Sequence, residues 1–377
     1  MKRMMLLSVC LLAINLSFSQ NPKRYPGPIV VCPAGEGEHH HHTPPEAWIK
    51  KLMTGEAKGA NGSACSTIEV TYIGFSVEAQ EAFQAAVDIW QASISSPITI
   101  RIEANWTDLG SNTLGSAGSN FLYQNFPNVP DNRLYPSALA DLIAESDQNP
   151  GEPDIIANFN SEFDWYYGTD GNTPSDQFDL VSVVLHEIGH GLGFSSTKNY
   201  DEDTGVGTIG LGPNSLPAKF DDFLTLGPDG TNLVSFSPGI TLGDALVGNN
   251  IYNDSPEAIS ALGEEPRMYA PADYAGGSSI SHWDESTYPA GNAQSLMTPQ
   301  IGEGEAIHNP GSITLGLFED MGWILCSSVE DLPCETWVDP SPTTAWNDFN
   351  TFFGGAPCDD GTGCPFNEIQ NFEVFAS

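Results

Sequence analysis

The sequence predicts an α+β fold, and three observations carry that expectation. Residues 67–74 and 98–106 alternate apolar and polar side chains as strands do, and residues 76–92 between them keep a helical apolar period. Residues 176–194 contain a second, strongly apolar helical run. Residues 195–281 then lose any sustained period and fill with Gly, Pro and Asp, so a strand–helix–strand start with parallel strands should be followed by a loop-dominated insertion.

The chain opens with Lys2 and Arg3, runs through an apolar stretch and places Ser17 and Ser19 at the minus three and minus one positions of a signal peptide cut after Ser19. Residues 1–19 are therefore expected to be removed and the protein to be secreted, extracellular and without a membrane span, since no other stretch approaches roughly 18 uninterrupted apolar residues. Cys10 follows the bulky Val9 with the apolar run continuing past it, which argues against a lipid anchor. Loss of Lys2 and Arg3 leaves 10 basic against 49 acidic residues, a charge of −39. A surface of that sign repels nucleic acid and anionic membranes. Six cysteines remain, Cys32, Cys65, Cys326, Cys334, Cys358 and Cys364, and an even number in an exported chain reads as disulfides.

Residues 20–65 are rich in Pro, Gly, Glu and Lys and lack a hydrophobic period, as in a pro-segment or extended N-terminal arm; the run His39 to His42 is expected in a solvated loop. Ser76 should cap the first helix, with Glu78 and Glu81 in its first turns and Ala79, Phe83, Ala86, Val87 and Trp90 on one face. A short helix at residues 136–144, begun by Pro136 or Ser137, and a strand at 154–161 come next. The apolar helix takes Asp176 or Asp179 as its cap, and Gly193 is placed to stop it in a left-handed conformation. A last helix is expected at 313–323. Residues 326–377 form an aromatic, Cys-containing tail that could serve for attachment, bind carbohydrate or simply stabilise.

Within the apolar helix, His186, Glu187 and His190 spell H-E-x-x-H. At about 3.6 residues per turn the two histidines share a face, with Val183, and can hold one metal ion between them while Glu187 acts on a water beside it. A buried helix with two merely satisfied histidines explains less, because an ionised Glu187 would lie there unpaired. Zinc usually takes three protein ligands and keeps a fourth position for water. The long H-E-x-x-H-x-x-G-x-x-H motif would put the third histidine at 196, where this chain has Ser196. His282, in Ser-His-Trp-Asp-Glu, is the favoured third ligand; Asp201, Glu202, Asp203 and His308 are the alternatives. No serine or cysteine carries the accompanying signature of a nucleophile.

His186, Glu187, His190, Gly193 and Phe194, then His282 and Trp283 beyond a long insertion, then Met297 and Pro299 in Leu-Met-Thr-Pro, together resemble the leishmanolysin-like branch of the metzincins. The resemblance spans residues 66–325. It implies a zinc metalloprotease catalytic domain with a twisted mixed sheet, an active-site helix and an irregular C-terminal subdomain, with Zn2+ on His186, His190 and His282, Glu187 catalytic and Met297 in a tight turn near the metal. It also implies protein or peptide substrates and an edge strand that pairs with them, for which residues 155–159 are the candidate. Tyr269, Tyr274 and Tyr288 are candidates to stabilise the oxyanion. Ca2+ is a further candidate ion in the Asp- and Asn-bearing loops 168–176 and 200–207, although neither has EF-hand spacing. For the arm, a Cys32–Cys65 disulfide is favoured over a Cys32 thiolate occupying the open zinc position of a latent proenzyme. The rival functions are a catalytically silent exported adhesive or binding protein on the same fold, and a zinc hydrolase acting on a non-peptide amide.

Overall fold

The computed structural model describes residues 22–55, 65–130, 132–228 and 230–326. The expected signal peptide, with Cys10, and the tail beyond Cys326, with Cys334, Cys358 and Cys364, lie outside the described residues.

The chain forms β1 (Lys23–Pro26), β2 (Val30–Thr43) and α1 (Ala47–Met53), then β3 (Ile68–Ile73), α2 (Val77–Ser93), β4 (Ile94–Ser95), β5 (Ile100–Thr107), β6 (Thr113–Ser119) and β7 (Phe121–Gln124). After β8 (Tyr135–Pro136) come α3 (Ser137–Ala144), β9 (Ile155–Asn160), β10 (Trp165–Tyr166), β11 (Phe178–Asp179) and α4 (Leu180–Gly191). The region expected to be loop-dominated holds β12 (Asn199–Asp201), β13 (Val206–Thr208), β14 (Leu224–Leu226), β15 (Thr231–Asn232), α5 (Ile240–Leu246), β16 (Ile251–Asn253) and α6 (Pro256–Leu262). It is therefore more ordered than its composition suggests, in elements too short to show a period. β17 (Ile301–Ile307), α7 (Ser312–Met321) and β18 (Ile324–Leu325) close the described chain.

A mixed six-stranded sheet in the order β17-β2-β6-β9-β5-β3 is the frame. β3, β5 and β9 are parallel, as the strand–helix–strand start predicts, whereas β6 runs antiparallel to both β9 and β2, and β17 is parallel to β2. The helix after β3 begins where its sequence says. Ser76 accepts a hydrogen bond from the Ala79 amide at 3.2 Å, and Ala79, Phe83, Ala86, Val87 and Trp90 are buried. Trp90 ties α2 to α4 by donating from Nε1 to the Leu185 carbonyl at 2.9 Å.

Three expectations change. Residues 155–159 are not an edge: β9 lies inside the sheet between β5 and β6, so its backbone is already paired on both sides. The arm is part of the sheet, and the histidine run expected in a loop falls within β2, because that stretch is taken up in pairing with β17. Cys32 does not pair with Cys65. Cys65 joins Cys326, across a sequence separation of 261, and Cys32 is a buried free thiol. Among the described residues no helix is long and apolar enough to cross a membrane.

Candidate metal centre

Helix α4 starts at Asp179, whose Oδ1 accepts from the Ser182 amide at 2.7 Å, so Asp179 rather than Asp176 is the cap. Every residue from Leu180 to Gly191 is buried. The helix can lie this close to the sheet because its neighbours are small: a Cβ on Gly115 of β6 would come 2.8 Å from Glu187 Oε1, and one on Gly191 would come 2.4 Å from Ile155. The helix ends at Leu192, and Gly193 takes φ +120°, a conformation open to glycine, which turns the chain away from the helix axis.

That turn sets the first histidine contact. His190 Nδ1 donates to the Phe194 carbonyl at 2.6 Å, His186 Nδ1 to the Leu296 carbonyl at 2.6 Å and His282 Nδ1 to the Ser278 carbonyl at 2.7 Å. A carbonyl can only accept, so each neutral ring carries its proton on Nδ1 and leaves a lone pair on Nε2. The three Nε2 atoms face one another, His186 to His190 at 2.9 Å, His190 to His282 at 3.2 Å and His186 to His282 at 3.3 Å. Three lone pairs converging with no proton between them repel unless a cation sits among them. Ligands at about 2.0 to 2.1 Å from a tetrahedral zinc stand roughly 3.3 Å apart, and the observed triangle is close to that size. Burial pushes His186 down to about 4 and His282 down to about 3, and holds His190 well below the ordinary histidine range, so all three present neutral nitrogens.

Glu187 is fully buried, and neither carboxylate oxygen has a hydrogen-bond partner among the described residues. Burial holds its carboxyl well above the ordinary range. The residue is thus poised to exchange a proton rather than to serve in an ion pair. Met297 is fully buried, and its sulfur would be 2.7 Å from a Cβ on Gly189; its carbonyl accepts from the Trp283 amide at 2.8 Å, joining the tight turn to the residue after the third histidine.

The alternatives for the third ligand are elsewhere. His308 Nε2 sits 2.9 Å from Asp179 Oδ1 at the far end of α4, and Asp201 Oδ1 accepts from the Asp203 and Thr204 amides in an exposed hairpin that also holds Glu202. Tyr288 accepts from the Arg267 amide at 3.3 Å and the Tyr274 hydroxyl bonds to the Tyr200 backbone, so both are committed. Tyr269 keeps the closest tie, its amide donating to the His282 carbonyl at 2.9 Å.

Ser196, standing where the long motif has histidine, serves a different purpose. Its amide donates to Ser281 Oγ at 3.0 Å, beside His282, and its hydroxyl donates to Asp221 Oδ1 at 2.6 Å. Thr197 also donates to Asp221, and Lys198 Nζ lies 3.2 Å from Asp221 Oδ1 in a pair whose side chains are both 0% exposed. This knot joins the segment carrying the Phe194 carbonyl to the segment carrying His282. No pattern around Lys198 or Asp221 announces it, since an ion pair 23 residues apart leaves no local period. Asp221→Ala would leave a buried, unpaired ammonium, and a loss of about 3–5 kcal/mol is expected in denaturant unfolding. An unchanged midpoint would mean that the pair braces nothing.

The arm reaches the same place. Cys32 lies opposite Gly115 in the β2–β6 ladder, and its sulfur forms a close group with a nitrogen of His186 and a carboxylate oxygen of Glu187, all within 4.8 Å of one another. Burial pushes the Cys32 thiol up, with Glu187, Glu305 and Glu285 adding to the effect. A cavity beside His190 is lined by Pro28 of the arm together with Ser119, Leu122, Pro136 and Gly193.

A family model described as SPBPB7E8-like matches residues 124–205, a span that contains His186, Glu187 and His190 and stops short of His282. No curated protein and no solved structure matches the chain.

Proposed function

We propose that the protein is a secreted zinc-dependent endopeptidase of the metzincin type, close to the leishmanolysin-like branch, held latent by its own N-terminal arm. The observation that carries this reading is the convergence of three Nε2 atoms at 2.9, 3.2 and 3.3 Å, each ring fixed through Nδ1 by a backbone carbonyl. The same second contacts that orient the rings also raise their basicity as ligands.

His186, His190 and His282 would hold the zinc. When bound, zinc supplies Lewis acidity, polarising the scissile carbonyl and bringing the pKa of water to about 7. Glu187, dry and unpartnered beside the triad, takes the attacking water's proton and returns it to the leaving amine. No covalent intermediate on the protein is required. The strand that receives an extended peptide is β6, not β9, because β6 crosses Glu187 at Gly115 and its far edge is filled by the removable arm.

The test is cleavage of casein or gelatin by arm-free protein, with and without chelator, together with zinc content. Chelator-sensitive cleavage and one zinc per chain are expected. His282→Ala should lose both, since two histidines leave the site a ligand short. Zinc bound with no cleavage of any protein substrate would favour the silent binding protein instead.

A further inference from the structure

His282 reaches the other two rings from a turn whose backbone is under strain. Ile280, two residues before it, is a fully buried β-branched residue at φ +67°, a left-handed conformation that is costly for such a side chain and persists only where its surroundings hold it. The ring bonds back onto the same turn, His282 Nδ1 donating to the Ser278 carbonyl at 2.7 Å. Where Ser278 goes, the third histidine follows.

Two clamps hold the turn, one at each end. At the far end the body of the protein supplies the contacts: the Ile280 amide donates to the Tyr269 carbonyl at 2.8 Å, the Tyr269 amide to the His282 carbonyl at 2.9 Å, and the Ser196 amide to Ser281 Oγ at 3.0 Å. At the near end the clamp is the arm. The Val31 amide donates to the Gly277 carbonyl at 3.1 Å, and Ser278 Oγ donates to the Val31 carbonyl at 3.3 Å. The Ser278 amide donates to the Ala275 carbonyl at 3.0 Å and its carbonyl also accepts from the Ser281 amide at 3.2 Å, but these bonds lie inside the turn and move with it. Gly277 has φ +86°, and a Cβ there would come 3.3 Å from Val31 Cγ2, so glycine lets arm and turn close on each other. Both polar backbone groups of Val31 thus face the turn. The ladder to β6 is left to its neighbours Val30 and Cys32, which stand against Ala117 and Gly115.

We propose that Val31, acting through Ser278, is a positioning residue for the third metal ligand, so that the arm assembles the metal centre as well as covering it. The inference rests on reading His186, His190 and His282 as a metal centre, and not on peptide cleavage. Without the arm the strained turn is fixed from outside at one end only. The Ser278 carbonyl then swings with its own segment, and His282 loses the steady contact that keeps its Nε2 turned toward the other two. The covered form therefore takes metal more tightly than the form left when the arm departs, which orders the events: the site is loaded first and uncovered second.

Zinc affinity of the full-length chain, measured by competition with a chromophoric chelator, provides the test. Every variant carries Cys32→Ala, so that the thiol adds no ligand of its own. Val31→Pro removes the amide that meets Gly277 without touching a bond to β6, and Ser278→Ala removes the hydroxyl but keeps the carbonyl that His282 uses. Each is expected to weaken zinc binding about 10-fold relative to Cys32→Ala alone, the low end of the loss that follows when a ligand's second partner is disturbed. Hydrogen exchange of the metal-free proteins, read by mass spectrometry, supplies a second measure. Peptides covering residues 275–283 should exchange faster in both variants while those covering β6 stay protected. Loss of protection in β6 as well would show that Val31→Pro has disrupted the sheet, and Ser278→Ala then decides alone. Zinc affinity equal to that of Cys32→Ala in the correctly folded variants would overturn the proposal and leave the metal centre standing. Zinc bound by none of the proteins, Cys32→Ala included, would remove the metal centre and the proposal with it.

Discussion

Replacing Glu187 by Gln is expected to lower peptide hydrolysis about 10²–10⁴-fold while leaving zinc content unchanged. The two readouts separate because Glu187 stands beside the histidine set without belonging to it. Three rings already converge through Nε2, and the Glu187 oxygens have no partner among the described residues. Glutamine keeps the volume, so Gly115 of β6, whose added Cβ would meet Glu187 Oε1 at 2.8 Å, still packs against it. What glutamine cannot do is take a proton. The loss should therefore fall on kcat with KM little changed, the pattern of an interaction made only in the transition state. Activity should not return at higher pH, as it would if Glu187 acted merely by electrostatics on the metal. Simultaneous loss of zinc would mean that Glu187 is a ligand, and undiminished cleavage would remove it from the mechanism.

Much of this centre was legible in the sequence because its signals are local or chemically rare. The H-E-x-x-H spacing places two rings on one face of a helix, and a chain with so few histidines outside its four-histidine run leaves His282 as the natural third. The parallel pair β3 and β5 was equally plain, since residues 67–74 and 98–106 alternate cleanly around a capped helix. The strands that pair with the arm beside the centre were not. β6 reads Thr-Leu-Gly-Ser-Ala-Gly-Ser and is almost wholly buried, so it shows neither alternation nor β-branched enrichment. Its residues are small because α4 presses on it, a tertiary demand with no period. β17 carries Glu303 and Glu305 and pairs with an arm that looks like a linker. Residues 155–159 read from sequence as a strand bounded by turn residues, but nothing local records strand order, and the sheet sets β9 between β5 and β6 instead of at an edge. The disulfide is hidden from sequence for a related reason. Cys32 and Cys65 are successive cysteines, yet Cys65 is held beside Cys326 by the pairing of β4 with β18, while β2 carries Cys32 to the histidines.

That position of Cys32 leads to the second large effect: Cys32→Ala is expected to raise the proteolytic activity of the uncleaved protein at least about 10-fold, a relief of roughly 1.4 kcal/mol. Val30 to Pro33 run antiparallel to β6, and from Ala34 to Thr43 the same strand runs parallel to β17. An extended peptide crossing from one strand to the other passes directly over Glu187, and it is there that the ladder sets Cys32 against Gly115. Two contributions hold the arm down, and they can be told apart. The backbone ladder survives Cys32→Ala, so this variant tests the sulfur alone and should leave residual inhibition. Removal of the whole arm should raise activity further, although Ile49 of α1 is fully buried and its loss also costs stability. A synthetic peptide of residues 28–35 should therefore inhibit arm-free protein in trans, and its Cys32→Ala version should bind more weakly through the ladder only. Pro33 gives the register a further check: the Cys32–Pro33 bond has no amide hydrogen and a constrained φ, which makes the strap a poor substrate for the site it covers. Replacing both Cys32 and Pro33 by Ala should turn it into one, with mass spectrometry finding self-cleavage beside residue 32. Equal activity of the intact protein and Cys32→Ala, with no inhibition by either peptide, would mean that the arm belongs to the fold and plays no part in latency.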